Sequence, residues 1–286
     1  MAELTTLPLE ASEPSAPNII LPPSQAELPY DDDTPMDSPR HKVQIELLID
    51  TLLPWLEQRS DGYIGGNMFV YFSMAQVRNQ DFRGPDFFAV LGVPKGERLS
   101  WVVWEEDKAP DVVIELLSES TAERDKTEKK QVYQDKLRVP EYFWYDPFNP
   151  SDWAGFTLRG GVYQPLTPTA QDQLVSQAMG LALVRWQATY KDIDATWLRW
   201  ATLNGELLPT PQEIAEQERQ RAGHERREKE LAQQQVEQER REKELANSQL
   251  QQVILNLLQE GMSVEQVARV TGFAQTQVEQ IRSSSP

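Results

Sequence analysis

The chain has no cysteine in 286 residues. That excludes a disulfide framework, a thiolate nucleophile and a zinc–thiolate site. Only two histidines occur, His41 and His224. No apolar run approaches the roughly 18 residues of a membrane span, so no membrane partner is expected. The start shows neither the basic n-region nor the apolar h-region of a signal peptide. Together these features give a cytoplasmic location as the expectation. Positive charge is also short. Twenty-eight Lys and Arg face 45 Asp and Glu, a net charge of −17, which argues against a passive, sequence-blind DNA binder. The deficit is uneven: no Lys or Arg precedes Arg40, and that stretch carries eight acids. A local basic cluster, Arg124, Lys126, Lys129, Lys130, Lys136 and Arg138, can still meet a phosphate backbone.

What is present divides the chain. Residues 1–38 are acidic and rich in Pro and Ser, without periodicity. Such a segment buries too little apolar area to offset its chain entropy and reads as disordered, with Asn18–Leu21 the one spot suited to docking. Residues 39–205 hold all eight tryptophans and form the expected folded domain. Its first element is a helix over 40–58, from Val43, Ile45, Leu47, Leu48, Leu52, Leu53 and Leu56 at helical spacing. Strands are expected at Tyr63-Ile64, Asn67–Ser73, Asp86–Leu91, Trp101–Trp104, Asp111–Leu117 and Glu141–Tyr145, with a basic helix over 122–137. A hairpin follows through Gly160-Gly161, then a strand at Leu181–Trp186 and a closing helix or strand around Trp197–Leu203. Strands, helix, then strands describe a mixed α/β (α+β) sheet domain flanked by helices.

Residues 206–258 read as one long charged helix. ERREKELA occurs at 225–232 and again at 239–246, an offset of two heptads. Glu225–Lys229 and Glu239–Lys243 are expected i,i+4 pairs. The best apolar seam (Ala222, Lys229, Val236, Lys243, Leu250, Leu257) suits a coiled coil only weakly until its last turns. Self-association through 213–258 is the expectation. Residues 259–286 form a small helix-turn-helix-like end.

Two carboxylates stand out at the centre. Asp86 follows Gly84-Pro85 at the mouth of an apolar strand, and Glu115 lies inside Val112-Val113-Ile114-Glu115-Leu116-Leu117. A bare charge there is costly without a partner or a metal. Phosphodiester cleavage needs a divalent metal on carboxylates and a cation for developing charge. Magnesium favours few carboxylates plus water. Asp86 and Glu115 suit that task, and Lys129 supplies the cation, with Asp125 one turn before it and Tyr133 one turn after, on one helical face. Blander readings stand beside these: a turn for Asp86, an ion pair for Glu115, a solvated face for Lys129. Asp111, roughly 13 Å along the strand from Glu115, is too far to share a metal. His41 opens a helix, where capping or packing outweighs an outer role at the site. His224 reads as solvated.

The set GPD at 84–86, PDVVIELLSEST at 110–121, RDKTEKKQVY at 124–133 and VPEYFWYDP at 139–147 resembles the Uma-type restriction endonuclease family of the PD-(D/E)XK nuclease superfamily. The likeness covers about residues 40–190. It implies a restriction-endonuclease-like fold and magnesium-dependent cleavage of nucleic acid, most naturally DNA, with Mn2+ as a substitute. By position, Asp86 matches the first acidic motif and Glu115 the second. The superfamily's lysine two residues later is Leu117 here. The family pattern instead places a lysine on the following helix, where Lys129 stands four residues before Tyr133. The competing reading is a non-catalytic scaffold that keeps the fold and works through its long helix. A third is a DNA-binding regulator using residues 259–282.

Overall fold

The computed structural model describes residues 22–30, 38–73 and 82–284. Helix α1, Pro39–Glu57, starts at Ser38, whose hydroxyl accepts from the His41 N–H, with proline in the first turn, where its missing N–H is of no consequence. Short strands follow: β1 Tyr63–Gly66, β2 Val70–Tyr71, β3 Phe82–Arg83, β4 Phe87–Val90 and β5 Trp101–Val102. A single helical turn, α2 Val103–Glu106, precedes β6 Val112–Leu116. The next helical run, α3, alternates α and π geometry through Ala122–Arg124, Asp125–Lys129, Lys130–Val132 and Tyr133–Leu137, the second and fourth being π turns. It ends at Arg138 with φ +52°. Then come β7 Glu141–Tyr145, β8 Trp153–Arg159, β9 Val162–Pro165, β10 Gln173–Ser176, β11 Leu181–Tyr190 and β12 Ile193–Ala201. Three helices close the chain: α4 Pro211–Gln259, α5 Val264–Thr271 and α6 Gln275–Ser283.

The central sheet has the order β1-β4-β6-β7-β8-β9. Only β6 and β7 are parallel, joined through α3, and the other neighbours are antiparallel. The architecture is therefore mixed α/β, as the pattern of elements predicts. Strand alternation divides β6 between two cores. Val112, Ile114 and Leu116 join Phe143 and Tyr145 of β7 against Ile45, Leu48 and Leu52 of α1 and Leu181, Leu183 and Trp200 of the β10-β11-β12 sheet. Val113 faces the other way, into a core with Phe88, Tyr142, Phe156 and the α3 residues Val132, Tyr133 and Leu137. A small third sheet, β3-β2-β5, lies over Leu28.

Several expectations are corrected. Of Asn67–Ser73 only Val70 and Tyr71 are strand, and the Trp101–Trp104 strand turns helical at Val103. Of the helix and strand left open around Trp197, the strand is the one present, as β12, and β10 had no periodicity to announce it. Residues 22–30, read as part of a disordered segment, are bound to the fold. Leu28 is buried, Tyr71 donates to the Pro29 carbonyl and Trp104 Nε1 to that of Pro23. Asn18–Leu21 lies outside the described residues.

The chain divides into two compact units, residues 1–214 and 215–286. In the first, buried Arg199 grips Glu213 and the Leu208 carbonyl, tying the start of α4 to β12. In the second, α4 is exposed along 216–249. Its ion pairs include Arg221–Glu225, Arg226–Glu230, Glu237–Arg241 and Arg240–Glu244. These replace the expected Glu–Lys pairs, which differ little in energy on an exposed helix. Ile254, Val267, Ala268 and Val278 make a separate small core. There Ser263 and Gln266 form a capping box, and Gly272, at φ +78°, makes a turn that favours glycine. Among the described residues no helix is long and apolar enough to cross a membrane.

Close approach at β7–β8 gives one stability prediction. Gly155 pairs with Phe143, and a Cβ at Gly155 would sit 2.6 Å from the Phe143 ring and 3.1 Å from Leu166. Overpacking of this kind costs about 1–3 kcal/mol. Gly155→Ala is expected to shift the urea midpoint down by that amount, with no change in the slope of the transition.

Candidate active site

The register of the central sheet brings the two sequence-predicted acids together. Phe87 of β4 pairs with Ile114 of β6, so Asp86, one residue earlier, lies opposite Glu115, one residue later. Asp86 Oδ2 accepts the Leu116 N–H at 2.7 Å. Its backbone carbonyl accepts Asn67 N–H at 3.1 Å, which holds the mouth of β4 in place.

Glu115 is fully buried, on the sheet face that α3 covers. Two side chains of α3 answer its charge: Lys129 Nζ donates to Oε2 at 3.0 Å and the Tyr133 hydroxyl to Oε1 at 2.7 Å. The same ammonium lies 2.7 Å from Asp125 Oδ1. Asp125 is itself buried, 1% exposed. Its contact with Lys129 is an ion pair without hydrogen-bond alignment, and its Oδ2 is without a hydrogen-bond partner. A buried acceptor left open in this way is costly. Below it, the Tyr142 hydroxyl donates to the Asp125 carbonyl at 2.8 Å, pinning the first π turn to β7.

The electrostatics follow from three acids around one cation. Burial, then the neighbouring Glu115 charge, pushes the Asp86 carboxyl well above the ordinary carboxylate range; Lys129 and the Leu116 N–H only partly oppose this. Burial likewise raises Glu115, against the pull of Lys129. For Lys129 burial acts to lower the pKa, but Glu115 and Asp125 together overcome it, and the ammonium is held above its usual value. Burial and the Glu115 charge push the Tyr133 hydroxyl far up, so it serves as a neutral donor. Two buried carboxyls whose negative charge is opposed by burial and by each other form a pair whose charge a cation can offset.

The other candidates lie apart from this chemistry. His41 is buried with Nδ1 on the Ser38 hydroxyl and Nε2 on the Leu117 carbonyl, so it packs and links α1 to the end of β6. Asp111 accepts the Leu91 N–H at 2.7 Å and pairs with Lys108, a strand-start role. Leu117 is fully buried, and no cation occupies that position. His224 is exposed on α4, 3.6 Å from Glu228. Among the described residues no three His, Cys, Asp or Glu side chains gather as a ready-made metal cage. The sequence reading missed Tyr142. Its only signal was an aromatic beside Glu141 in a strand, which is indistinguishable from core.

A model of the family Uma2, described as "Putative restriction endonuclease", matches residues 32–191, more than half of the chain. The chain belongs to the Uma2 family. The matched segment contains β1 through β11 and every member of the carboxylate–lysine group. One similar solved structure is described as that of a putative nuclease belonging to DUF820 from Anabaena variabilis ATCC 29413. It is 16% identical, with a TM-score of 0.36, and the match covers 56% of this chain and 86% of that one. Among curated proteins none matches. Residues 192–286, with β12 and all of α4, α5 and α6, lie outside the Uma2 match.

A pH signature follows from the Asp86 geometry. The carboxyl binds its proton more tightly folded than unfolded. Above about pH 4, the unfolded value, the folded state therefore holds the extra proton, and stability falls as pH rises through the raised folded pKa. In metal-free buffer Asp86→Asn is expected to flatten the decline in melting temperature between pH 4 and pH 7, because the amide keeps an acceptor for the Leu116 N–H without the titrating charge. Thermal melts across that range check it; parallel wild-type and variant profiles would refute the assignment.

Proposed function

We propose that the chain is a divalent-metal-dependent endonuclease that hydrolyses phosphodiester bonds of DNA, with Asp86 and Glu115 as metal ligands and Lys129 as the catalytic cation. The observation that carries this reading is the Lys129 ammonium held between Glu115 and Asp125 beside Asp86. The donors suit the group. Both ligands are carboxylates, which Mg2+ and Mn2+ prefer, their buried negative charges oppose each other and would be offset by a cation, and the unpartnered Asp125 oxygen supplies further negative potential. Mg2+ commonly takes only one or two carboxylates, so a pair is enough. When bound, such an ion supplies Lewis-acid stabilisation of charge developing on the phosphodiester.

The chain's own residues then have defined tasks. Lys129 stays protonated, so it acts as a fixed cation toward the phosphoryl oxygens and not as a base at neutral pH. Tyr133 orients Glu115 from the side opposite Lys129. Asp125 holds the ammonium beside Glu115 by charge. Family membership and the match over 32–191 support nucleic acid as the substrate class. A second reading is favoured by one observation: α4 is exposed through both ERREKELA repeats, with Leu231, Val236 and Leu245 uncovered. A scaffold protein that keeps the fold and associates through α4 would present such a surface.

The experiment compares wild type with Glu115→Ala on plasmid DNA and on RNA, with Mg2+, with Mn2+ and with chelator. Cleavage by wild type is expected only with metal. The variant is expected to lose it by on the order of 10²-fold or more while circular dichroism stays native. Lys129→Gln is expected to reduce turnover by a similar factor and leave metal affinity, read by calorimetry, within a few-fold. Absence of a saturable metal site together with absence of cleavage would establish the scaffold reading in its place.

A further inference from the structure

Next to the carboxylate–lysine centre, α3 carries two more cations on the side facing β7 and β8. Lys130 has no carboxylate partner in an ion pair among the described residues. Its ammonium lies 3.5 Å from the Phe156 ring centroid and 5.6 Å from that of Trp144. Lys126, one turn earlier, lies 5.6 Å from the Trp144 ring and pairs with Asp152 at 2.5 Å. Asp152 is shared, since Trp144 Nε1 also donates to it at 3.3 Å. The patch thus holds two ammonium groups against one carboxylate, in a chain whose net charge is −17.

Its location is set by register. Trp144 is the cross-strand partner of Glu115, and Ala154 of β8 is the partner of Trp144. The patch therefore begins one strand from the buried carboxylate and reaches the next, two spacings or roughly 10 Å away. Along one strand of a nucleic acid that span is on the order of three nucleotides. Lys130 is only half-buried, so its side chain keeps contact with solvent, although burial opposes its charge. The aromatic rings beneath fix where that charge sits, because a cation over a ring face is held in place.

We infer that Lys130 and Lys126 form a phosphate-backbone anchor that holds the nucleic acid across β7 and β8, beside the scissile position and separate from the catalytic group. The inference rests on the nuclease reading for its substrate class, but it is a binding subsite and is tested without cleavage. Lys130 is the principal contact because its charge is uncompensated. Lys126 contributes once it shares Asp152 with the Trp144 N–H. The chemistry recognised is the phosphodiester charge and not base identity, so single strands and duplexes both bind.

The test measures affinity of the full chain in EDTA for labelled single-stranded and duplex 20-mers of DNA, from 50 to 300 mM NaCl. Each lost phosphate contact lowers the salt slope by about 0.7 on single strands or 0.9 on duplex, equivalent to roughly a fivefold to eightfold loss at 0.1 M salt. Lys130→Gln is expected to show that loss, Lys130→Arg to retain affinity, and Lys126→Gln with Lys130→Gln to lose more. An unchanged slope in Lys130→Gln overturns the anchor, whether or not wild type cleaves. So does a lowered melting temperature with unchanged affinity, which would make Lys130 a cover for Phe156. A lost slope in a chain that never cleaves sustains the anchor and removes the nuclease reading. If wild type neither binds nor cleaves, both fall.

Discussion

A carboxylate with no solvent exposure, set in the middle of a central strand, is the constraint on which the rest of the first unit depends. Removing an ion from water costs several kcal/mol unless a partner and hydrogen bonds compensate. Glu115 obtains both from one helix: an ammonium on one oxygen and a hydroxyl on the other. That demand fixes where α3 lies, because Lys129 and Tyr133 must both point down onto β6. It also bears on the helix's unusual winding. In a pure α-helix, residues four apart drift by about 40°. Asp125, Lys129 and Tyr133 are each four apart; the π turn Asp125–Lys129 lies between the first two and takes up the excess, while the second π turn begins at Tyr133. π turns inside helices are rare and concentrate at functional sites. Here the geometry supplies a reason for the first of them.

The two faces of the central sheet divide the work. One is apolar apart from Glu141, which accepts from Ser176 and the Gln177 N–H of the β10 side, and it is pressed between α1 and the second sheet. The other carries Glu115 among Val113, Phe88 and Tyr142. The register of β4 against β6 is therefore more than packing. A slip of one residue would send Glu115 into the apolar core and Ile114 toward Lys129. Phe87 and Ala89 sit on the apolar face, Phe88 on the other, and this alternation is what sets Asp86 opposite Glu115.

Much of this was legible in the residues. Glu115 announces itself as the one charge in an apolar run, and the spacing of Asp125, Lys129 and Tyr133 announces a shared helix face. Asp86 was legible as a carboxylate at a strand mouth but equally as a turn residue. Only the pairing of β4 with β6 separates the two, and pairing is a long-range fact. Asp125 could not be separated from a helix cap by sequence, since both roles use a carboxylate near a helix start. Its burial and its open Oδ2 distinguish it. The strands β2, β3 and β5 are two residues each, too short for a period-2 signal. Residues 22–30 resemble a disordered acidic tail in composition, and what orders them is partners about 80 positions away, such as Trp104. Composition carries no information about such contacts.

The position of the lysine is the last step. With Leu117 buried and uncharged, the cation reaches Glu115 from above the sheet and not along the strand. A lysine on the strand would move with β6 and meet its carboxylate through the pleat alone. A lysine on α3 brings its own second carboxylate, Asp125, from the same turn, and shares its anchorage with Tyr142 beneath. Its charge is thereby held by two acids instead of one, which raises its pKa despite burial, and the ammonium survives in a site that would otherwise neutralise it. With Leu117 apolar, the cation beside Glu115 comes from the buried face of α3, and Asp125 on the same helix is the second carboxylate that holds it charged.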